Sequence, residues 1–591
     1  MVDVSSVSFL THVEVWAYFG PCFEPGAPTW QQRCKIPETL RARSGKGVAQ
    51  MEQIEQPSGA ARVTSDLSDA YCLGHASDFY GGHFGSREDR RRAVMRALRP
   101  VDADVADALK AQQAKLYPSA ARTQNVTALR RGAAVVVTGQ QVGLLLGPLY
   151  TLYKAATAVR LARALSDEVN EPVVPVFWLQ SEDHDLLEIA ACHVRTAGAP
   201  LSLTLPVPAN NRVSVAHCTL PDEVQHYLEA LRRELGNLPH ADEHLSRLAR
   251  HYRPDAGWVQ AFAGCLAELF ADEGLLLLDP RDPGLARASI PVHRRALLEA
   301  QPIAHALLER VGMMQAHGWR APIHVRESAP LSFFHPEGPL GPRYRLSAAP
   351  GGFAEIGGKR VHELEELLGW LERDPQCFST SALLRPILQD SLLPTAAYVG
   401  GPAEVAYFAQ LPPLYEAYGL AAPLVVPRAR FRLLEQRTEG LLARTGLTVS
   451  EVSHPDAELL SRMLSSSPTH WPPEVFERHL LEGFEVALHE ALAKAYMGQG
   501  TQFSPVDSMR SEVKKSAAKL RQRYERALRH RNGALLQELE QLKWLLCPGG
   551  EPQERFYGLA YFAARYGERG FVERVLQSVT PFDANPRDLR L

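Results

Sequence analysis

Eight cysteines are scattered through 591 residues without a single C-x-x-C pair. That scatter argues against a disulfide framework and a cysteine zinc knuckle, and it fits a reducing cytoplasm. Neither sign of charge is in excess: 64 Lys and Arg against 67 Asp and Glu leave a formal net charge of −3. A nucleic-acid partner has no electrostatic footprint here. Long hydrophobic runs are also missing. The segment GLLLLD is far shorter than the roughly 20 apolar residues that span a bilayer, so a soluble protein is expected. The first residues lack a basic stretch followed by an apolar core, because His12 and Glu14 interrupt the only candidate. A secretory signal is therefore not expected. Two nucleotide fingerprints are absent as well, G-x-x-x-x-G-K-[ST] and G-x-G-x-x-G.

What is present is a globular composition, 45% hydrophobic and 22% charged. The length suits about three or four domains, or one large α/β domain with insertions. Residues 1–58 stand apart, with breakers in PCFEPGAPTW and RSGKG and no sustained periodicity. Either Met51 is the true start or this stretch is a disordered tail. Residues 59–134 read as helical: SREDRRRAVMRALRP puts acids early, bases late and a proline at the stop.

The core is expected over 135–432. Ala133–Thr138 and PVVPVFWLQ (172–180) are nearly all apolar and bracket a helix that starts at Pro148. Strand, helix and strand in about 45 residues make a βαβ unit whose parallel strands are covered on both faces. GLLLLDP (274–280), TAAYVGGP (395–402) and PLVVPR (423–428) continue the scheme. The stretches near 195–260 and 320–378 read as insertions. The expected fold class is α/β, a Rossmann-like doubly wound parallel sheet. From about Leu433 the pattern changes. Val513, Ala517, Leu520 and Tyr524 repeat at spacings of four and three, and so do Leu535, Leu539, Leu542 and Leu546. That spacing predicts a helical coiled coil within 433–550, with a helix of roughly 55 Å. A partner helix is expected in 472–497. Two helices joined within the chain are the alternative to dimerisation. The aromatic-rich residues 551–591 are expected to dock on the core.

In such a sheet ligands bind beyond the C-terminal ends of the strands. Three stretches fall there. TGQQVGLLLGPLY places Gly139, Gln140 and Gln141 after the first strand, and Gly147 before a helix. Glycines there allow a ligand close to the backbone, and the helix N-terminus offers N–H groups. Gly147, Tyr150 and Lys154 share one helix face, so Tyr150 and Lys154 could hold a carboxylate or phosphate. Glycine packing beside a solvated Lys154 is the alternative. SEDHD (181–185) gathers three acids around His184, a pattern that tunes a histidine for proton transfer. A magnesium or zinc site, or a helix cap by Asp183 or Asp185, competes with that reading. YVGGPAE puts Gly400 and Gly401 before Glu404. Upstream, RPILQDSLLP carries Arg385, Gln389 and Asp390.

Taken together, TGQQVGLLLGPLYTLYK, PVFWLQSEDHD, LLRPILQDSLLPTAAYVGGPAEVAYFAQL and QERFYGLAYF resemble the bacillithiol biosynthesis cysteine-adding enzyme family from about residue 60 to the end. QQVG and LLLGP depart from the family's Gln-Gln-Pro-Gly and glycine-richer run. The resemblance implies a Rossmann-like core with connecting-peptide insertions and a dimerising coiled coil. It implies a ligase joining cysteine's carboxyl to the amine of glucosaminyl malate, with ATP as co-substrate, magnesium and no zinc. By analogy with class I aminoacyl-tRNA synthetases an acyl adenylate is favoured, although their HIGH and KMSKS signatures are missing. On this reading Gly139, Gln140 and Gln141 hold the activated cysteine or the nucleotide, and Tyr150 and Lys154 bind anionic oxygens. His184, with Asp183 and Asp185, handles protons or phosphate, while Trp178, Gln389, Asp390 and Glu404 shape the pocket and hold amines. A metal at Ser181–Asp185 is left open. The competing readings are a nucleotidyltransferase or sugar-modifying enzyme on the same fold, and a non-catalytic ligand sensor on a coiled-coil scaffold.

Overall fold

The computed structural model describes residues 67–591, apart from 197, 209–211, 328, 466–470, 496–505 and 532. The expectations for residues 1–58, Met51 included, fall outside the described residues. Five apolar strands form one sheet: β1 (Ala134–Gln140), β2 (Val173–Leu179), β3 (Leu276–Leu278), β4 (Thr395–Gly400) and β5 (Leu424–Pro427). Their order is β5-β4-β1-β2-β3, and every pairing is parallel. The chain thus starts in the middle, builds outward to β3, then returns to the other side of β1. That reversal leaves a crevice between β1 and β4 at their C-terminal ends.

Alternation along each strand divides the core in two. Val174, Val176 and Trp178 of β2 face one apolar cluster, with helices drawn from residues 67–130. Phe177 and Leu179 face the other, with α1 (Tyr150–Val169) among its elements. Both faces are covered, as near-continuous apolar strands require. The helix expected in SREDRRRAVMRALRP spans Arg87–Ala97, and the Ser86 hydroxyl accepts from Asp89 N.

The sheet is interrupted twice. After β2 comes the short helix α2 (Leu186–Ile189), then an antiparallel pair, Ala191–Val194 with Leu201–Thr204, and three helices. Before β4 a separate five-stranded antiparallel sheet runs through residues 332–380. The helix α3 (Leu384–Leu392) leads into β4, and α4 (Pro402–Phe408) follows it.

The coiled-coil segment differs from one long helix. It consists of α5 (Pro473–Ala495), α6 (Val506–Arg531) and α7 (Gly533–Leu546). The sequence at the break reads Asn-Gly, and a helix-interior glycine costs about 1 kcal/mol relative to alanine. Helices α5 and α6 pair within the chain: Phe476 stacks on Tyr524 at 4.4 Å between centroids, and Arg510 meets Glu485 at 2.9 Å. Ala517, Leu539, Leu542 and Leu546 are buried as their spacing predicts, whereas Leu520 is exposed. The last residues return to the core. Tyr557, Phe562 and Phe571 are buried in the α1 cluster, and Arg587–Arg590 pairs in parallel with Phe431–Leu434. Among the described residues no helix is long and apolar enough to cross a membrane.

Candidate active-site cleft

Lys154 lies on α1 directly under the crevice between β1 and β4. It is buried, which excludes a solvated role, and its three protons are all used. Nζ donates to Gly139 O and Gln140 Oε1, both at 2.7 Å, and forms an ion pair with Glu404. The expected grip of Lys154 on a ligand's anionic oxygens is therefore corrected. Its charge is spent on Glu404 and on fixing the end of β1. Burial pushes the lysine down to about 8, against the pull of Glu404. Burial alone would raise Glu404, but the Lys154 charge together with the hydrogen bonds from Lys154, Tyr398 and Gly401 N holds the carboxylate below its ordinary value. Both groups are therefore charged at neutral pH.

Glu404 sits in the first turn of α4. Its Oε2 accepts from Gly401 N at 2.8 Å and its Oε1 from the Tyr398 hydroxyl at 2.6 Å. Behind it the network continues inward. Arg385 donates to Tyr407 at 2.6 Å and to Gln389 Oε1 at 2.8 Å, Gln389 donates to Asp390 at 2.7 Å, and Tyr415 donates to Asp390 at 2.5 Å. Arg385, Gln389 and Asp390 are buried, with each polar group satisfied by a neighbour. They brace Glu404, and their polar groups are engaged with one another. Burial pushes Asp390 up to about 6. Trp178 is corrected likewise: alternation along β2 sends its ring into the core, away from the cleft.

The glycines of the β1 loop also behave differently from the ligand-clearing reading. A Cβ on Gly143 would lie 2.9 Å from Gly147 Cα, and one on Gly139 would lie 3.1 Å from Trp178 O. These glycines let backbone pack on backbone. Gly147 has φ +65°, following Leu145 and Leu146, which also have positive φ. The N-terminus of α1 is not open either. Leu149 N donates to Tyr557 O at 2.8 Å, so the tail caps that end, and Thr151 N turns back to Pro148 O.

At the end of β2 the SEDHD cluster splits. Ser181 donates to Asp279, and the buried Glu182 accepts from the Thr380 hydroxyl and from Thr380 N at 3.2 Å. Asp185 caps α2 by accepting from Glu188 N at 3.2 Å. The expected ring of three acids around His184 is thus reduced to Asp183. Its Oδ2 accepts from Gln141 Nε2 at 2.7 Å, and its Oδ1 accepts from His184 N at 2.7 Å and lies 3.3 Å from His184 Nδ1. Burial would raise Asp183, but these hydrogen bonds and the Arg343 charge at 3.6 Å keep it well below the ordinary carboxylate range. Asp183 is an anion at any physiological pH. The side chains of Asp183 and His184 are each more than a third exposed, so a ligand can reach them. Gln141 Oε1 has no hydrogen-bond partner among the described residues and completes this polar corner.

Among the described residues no group of three or more His, Cys, Asp or Glu is arranged to hold a metal ion. The hydrogen bonds of Ser181, Glu182 and Asp185 point to three different places, so this donor set does not fit a protein-held magnesium.

Three residues that the sequence did not single out, Arg428, Arg555 and Glu188, stand around Tyr150, which it did. Tyr150, whose hydroxyl accepts from Gln140 Nε2 at 3.3 Å, has Arg428 5.6 Å and Arg555 5.9 Å from its ring centroid. Burial pushes its phenol up to about 12. Arg428 is locked to Glu554 by two bonds of 2.7 and 3.0 Å. Glu188 stands in the first turn of α2. Solvent reaches it, yet cleft walls surround it, and this burial together with Asp183 and Asp185 raises it to about 7. Arg555 lies inside the quoted block QERFYG, and Glu188 comes four residues after His184. Those positions were the available signals, and neither carries a motif by itself.

Comparison with known proteins places these features in one family. The family model described as "Bacillithiol biosynthesis BshC, N-terminal Rossmann-like domain" matches residues 53–429. The companion "Bacillithiol biosynthesis BshC, C-terminal coiled-coil domain" matches 431–586. Relatives named "Putative cysteine ligase BshC" include that of Koribacter versatilis, 36% identical over 469 residues, 78% of this chain and 85% of its own. The Salinibacter ruber protein is 31% identical over 86% of this chain and 93% of its own. For Geobacillus thermodenitrificans the figures are 30%, 89% and 97%.

Proposed function

Because the chain belongs to the bacillithiol-biosynthesis BshC family, we propose that it is an ATP-dependent ligase joining cysteine to the amine of glucosaminyl malate. The observation that carries the reading is the cleft at the β1–β4 crevice. There the ends of β1, β2, β4 and β5 supply amides, an ionised aspartate, a reachable imidazole and a braced ion pair. A carboxylate is a poor electrophile and needs activation. Cysteine's carboxylate oxygen attacks the α-phosphorus of ATP, pyrophosphate leaves, and an acyl adenylate forms. The acceptor's neutral amine then attacks the acyl carbon, AMP leaves, and the amine's proton passes to a base.

Gln140 and Gln141 line the floor where the acyl group would rest, held in place by Lys154 and Asp183. His184, oriented by Asp183, is the candidate for the proton. Positioning of this kind, with acid–base help, is the main lever for amide formation. Magnesium arrives with the nucleotide's phosphates as part of the substrate. The reaction belongs in the cytoplasm, where cysteine and ATP are supplied. The working unit is a homodimer through the coiled coil, since Leu480, Val486, Met509 and Leu520 of α5 and α6 are exposed. Exchange of pyrophosphate into ATP that requires cysteine and no sugar tests the first half-reaction. Exchange that ignores cysteine would remove the reading.

A further inference from the structure

Most charged groups of the cleft are already engaged. Lys154 has three acceptors, Arg428 is clamped by Glu554, and Arg385 is held by Gln389, Tyr398 and Tyr407. Glu404 and Asp183 are bound as described above. Two groups of opposite sign differ. Among the described residues Arg555 makes one ion pair, 3.5 Å from Glu551, with both side chains half or more exposed. Glu188 has no hydrogen-bond donor or ion-pair partner for its carboxylate among the described residues.

The fold brings each of them near Tyr150 from distant parts of the sequence. The tail threads between the start of α1 and the strand at Ala191–Val194. Tyr557 O takes the proton of Leu149 N, and Gly558 N donates to His193 O, both at 2.8 Å. Bridges Pro148↔Gly558 and His193↔Tyr557 complete the junction. Arg555 comes two residues before this junction, Glu188 five residues before His193, and Tyr150 one residue after Leu149. The three therefore surround one anchored segment. The Glu554–Arg428 pair fixes the tail a second time, on the other side of Arg555. Charges on both Arg555 and Glu188 act on the Tyr150 phenol, in opposite directions.

We propose that Arg555 and Glu188 form the acceptor end of the cleft, Arg555 pairing with a carboxylate and Glu188 with the ammonium of one zwitterionic substrate. This inference rests on the ligase reading and deepens it. A planar guanidinium pairs with a carboxylate through two parallel bonds, while the carboxylate of Glu188 suits an ammonium. An amino sugar bearing an acidic aglycone carries both groups on one molecule. The segment after the coiled coil thus acts as a specificity arm of the Rossmann-like core.

The test is calorimetric binding to the full-length protein of two probes, glucosaminyl malate and methyl glucosaminide, which lacks the carboxylates. The parent protein is expected to bind glucosaminyl malate at least about tenfold more tightly. Arg555→Ala should lose that preference while holding methyl glucosaminide as the parent does. Arg555→Lys should fall between, and Glu188→Gln should weaken both probes. Equal affinity of the parent and Arg555→Ala for glucosaminyl malate would overturn the proposal. So would a parent that binds neither probe. If that protein still exchanged pyrophosphate with cysteine, the ligase reading would survive and only the acceptor site would be lost.

Discussion

The Lys154 ammonium and the Glu404 carboxylate meet across the crevice where the order of the parallel strands reverses. One comes from the helix after β1 and the other from the helix after β4. Their ion pair joins the two halves of the sheet at the place where a doubly wound fold binds its ligands. The Lys154 side chain is buried and that of Glu404 is 18% exposed; the Gly139, Gln140, Gly401 and Tyr398 dipoles hold the pair, and the charges of Arg428 and Arg385 also act on Lys154.

Breaking the pair from one side should therefore be costly. Lys154→Met leaves Glu404 uncompensated and is expected to lose about 3–5 kcal/mol of stability. The double variant Lys154→Met, Glu404→Gln should recover much of that loss. Urea unfolding of the two variants checks this. A single variant as stable as the parent would mean that Lys154 is not a strut.

Close backbone packing of the β1 loop makes a second expectation. Gly143→Ala puts a methyl 2.9 Å from Gly147 Cα, and overpacking of this kind costs about 1–3 kcal/mol. Thermal melts should show the loss. An unchanged melt would return the glycine to a ligand-clearing role.

Asp183 and His184 form the reachable acid–base corner. Asp183→Asn and His184→Ala should each lower turnover by about a hundredfold or more; His184→Ala should melt as before, while Asp183→Asn should also lose some stability, because the fold favours the ionised aspartate. Steady-state rates with saturating cysteine and ATP decide this. Full turnover in both variants would end the assignment of proton transfer to this corner.

Glu188 gives a pH signature. Its carboxyl is neutral below about 7 and charged above it. Affinity for an ammonium acceptor should therefore rise as pH passes through about 7, and Glu188→Gln should flatten that limb. Cysteine-dependent pyrophosphate exchange, which needs no acceptor, should keep its own profile in both proteins. The same shift acts on folding. The folded-state value lies above the ordinary carboxyl value, so Glu188's contribution to stability is greatest at low pH and is lost as pH rises through about 7.

Much of this was legible in the sequence. The five apolar runs, bounded by turn residues and separated by helical patterns, fit buried parallel strands, and their C-terminal ends located the cleft. The heptad-like spacing showed the inward faces at Ala517, Leu539, Leu542 and Leu546, while Leu520 on the same spacing is exposed and Val513, Tyr524 and Leu535 are partly so. The directions of side chains were less legible. Trp178 and Leu179 are neighbours on β2 and face opposite clusters, and the cleft's position alone does not say which faces what. Glu182 lies next to Asp183, yet its partner Thr380 is nearly two hundred residues away. The capping of α1 by Tyr557 joins residues about four hundred positions apart and leaves no local pattern. Arg555 and Glu188 owe their shared location to that same long-range junction.

The coiled coil offers a separate check. Val486 is 61% exposed beside an open depression lined by Leu481, Phe484 and Arg510. Light scattering at micromolar concentration should give a dimer, and Val486→Glu should shift it toward monomer. A parent that is strictly monomeric would contradict the proposed assembly.

The most direct measurement combines the purified full-length protein with ATP, magnesium, cysteine and glucosaminyl malate and follows products by mass spectrometry. Bacillithiol and AMP in equal amounts, dependent on cysteine, is the predicted result. With ATP and magnesium verified, the absence of any cysteine-dependent amide would contradict the account.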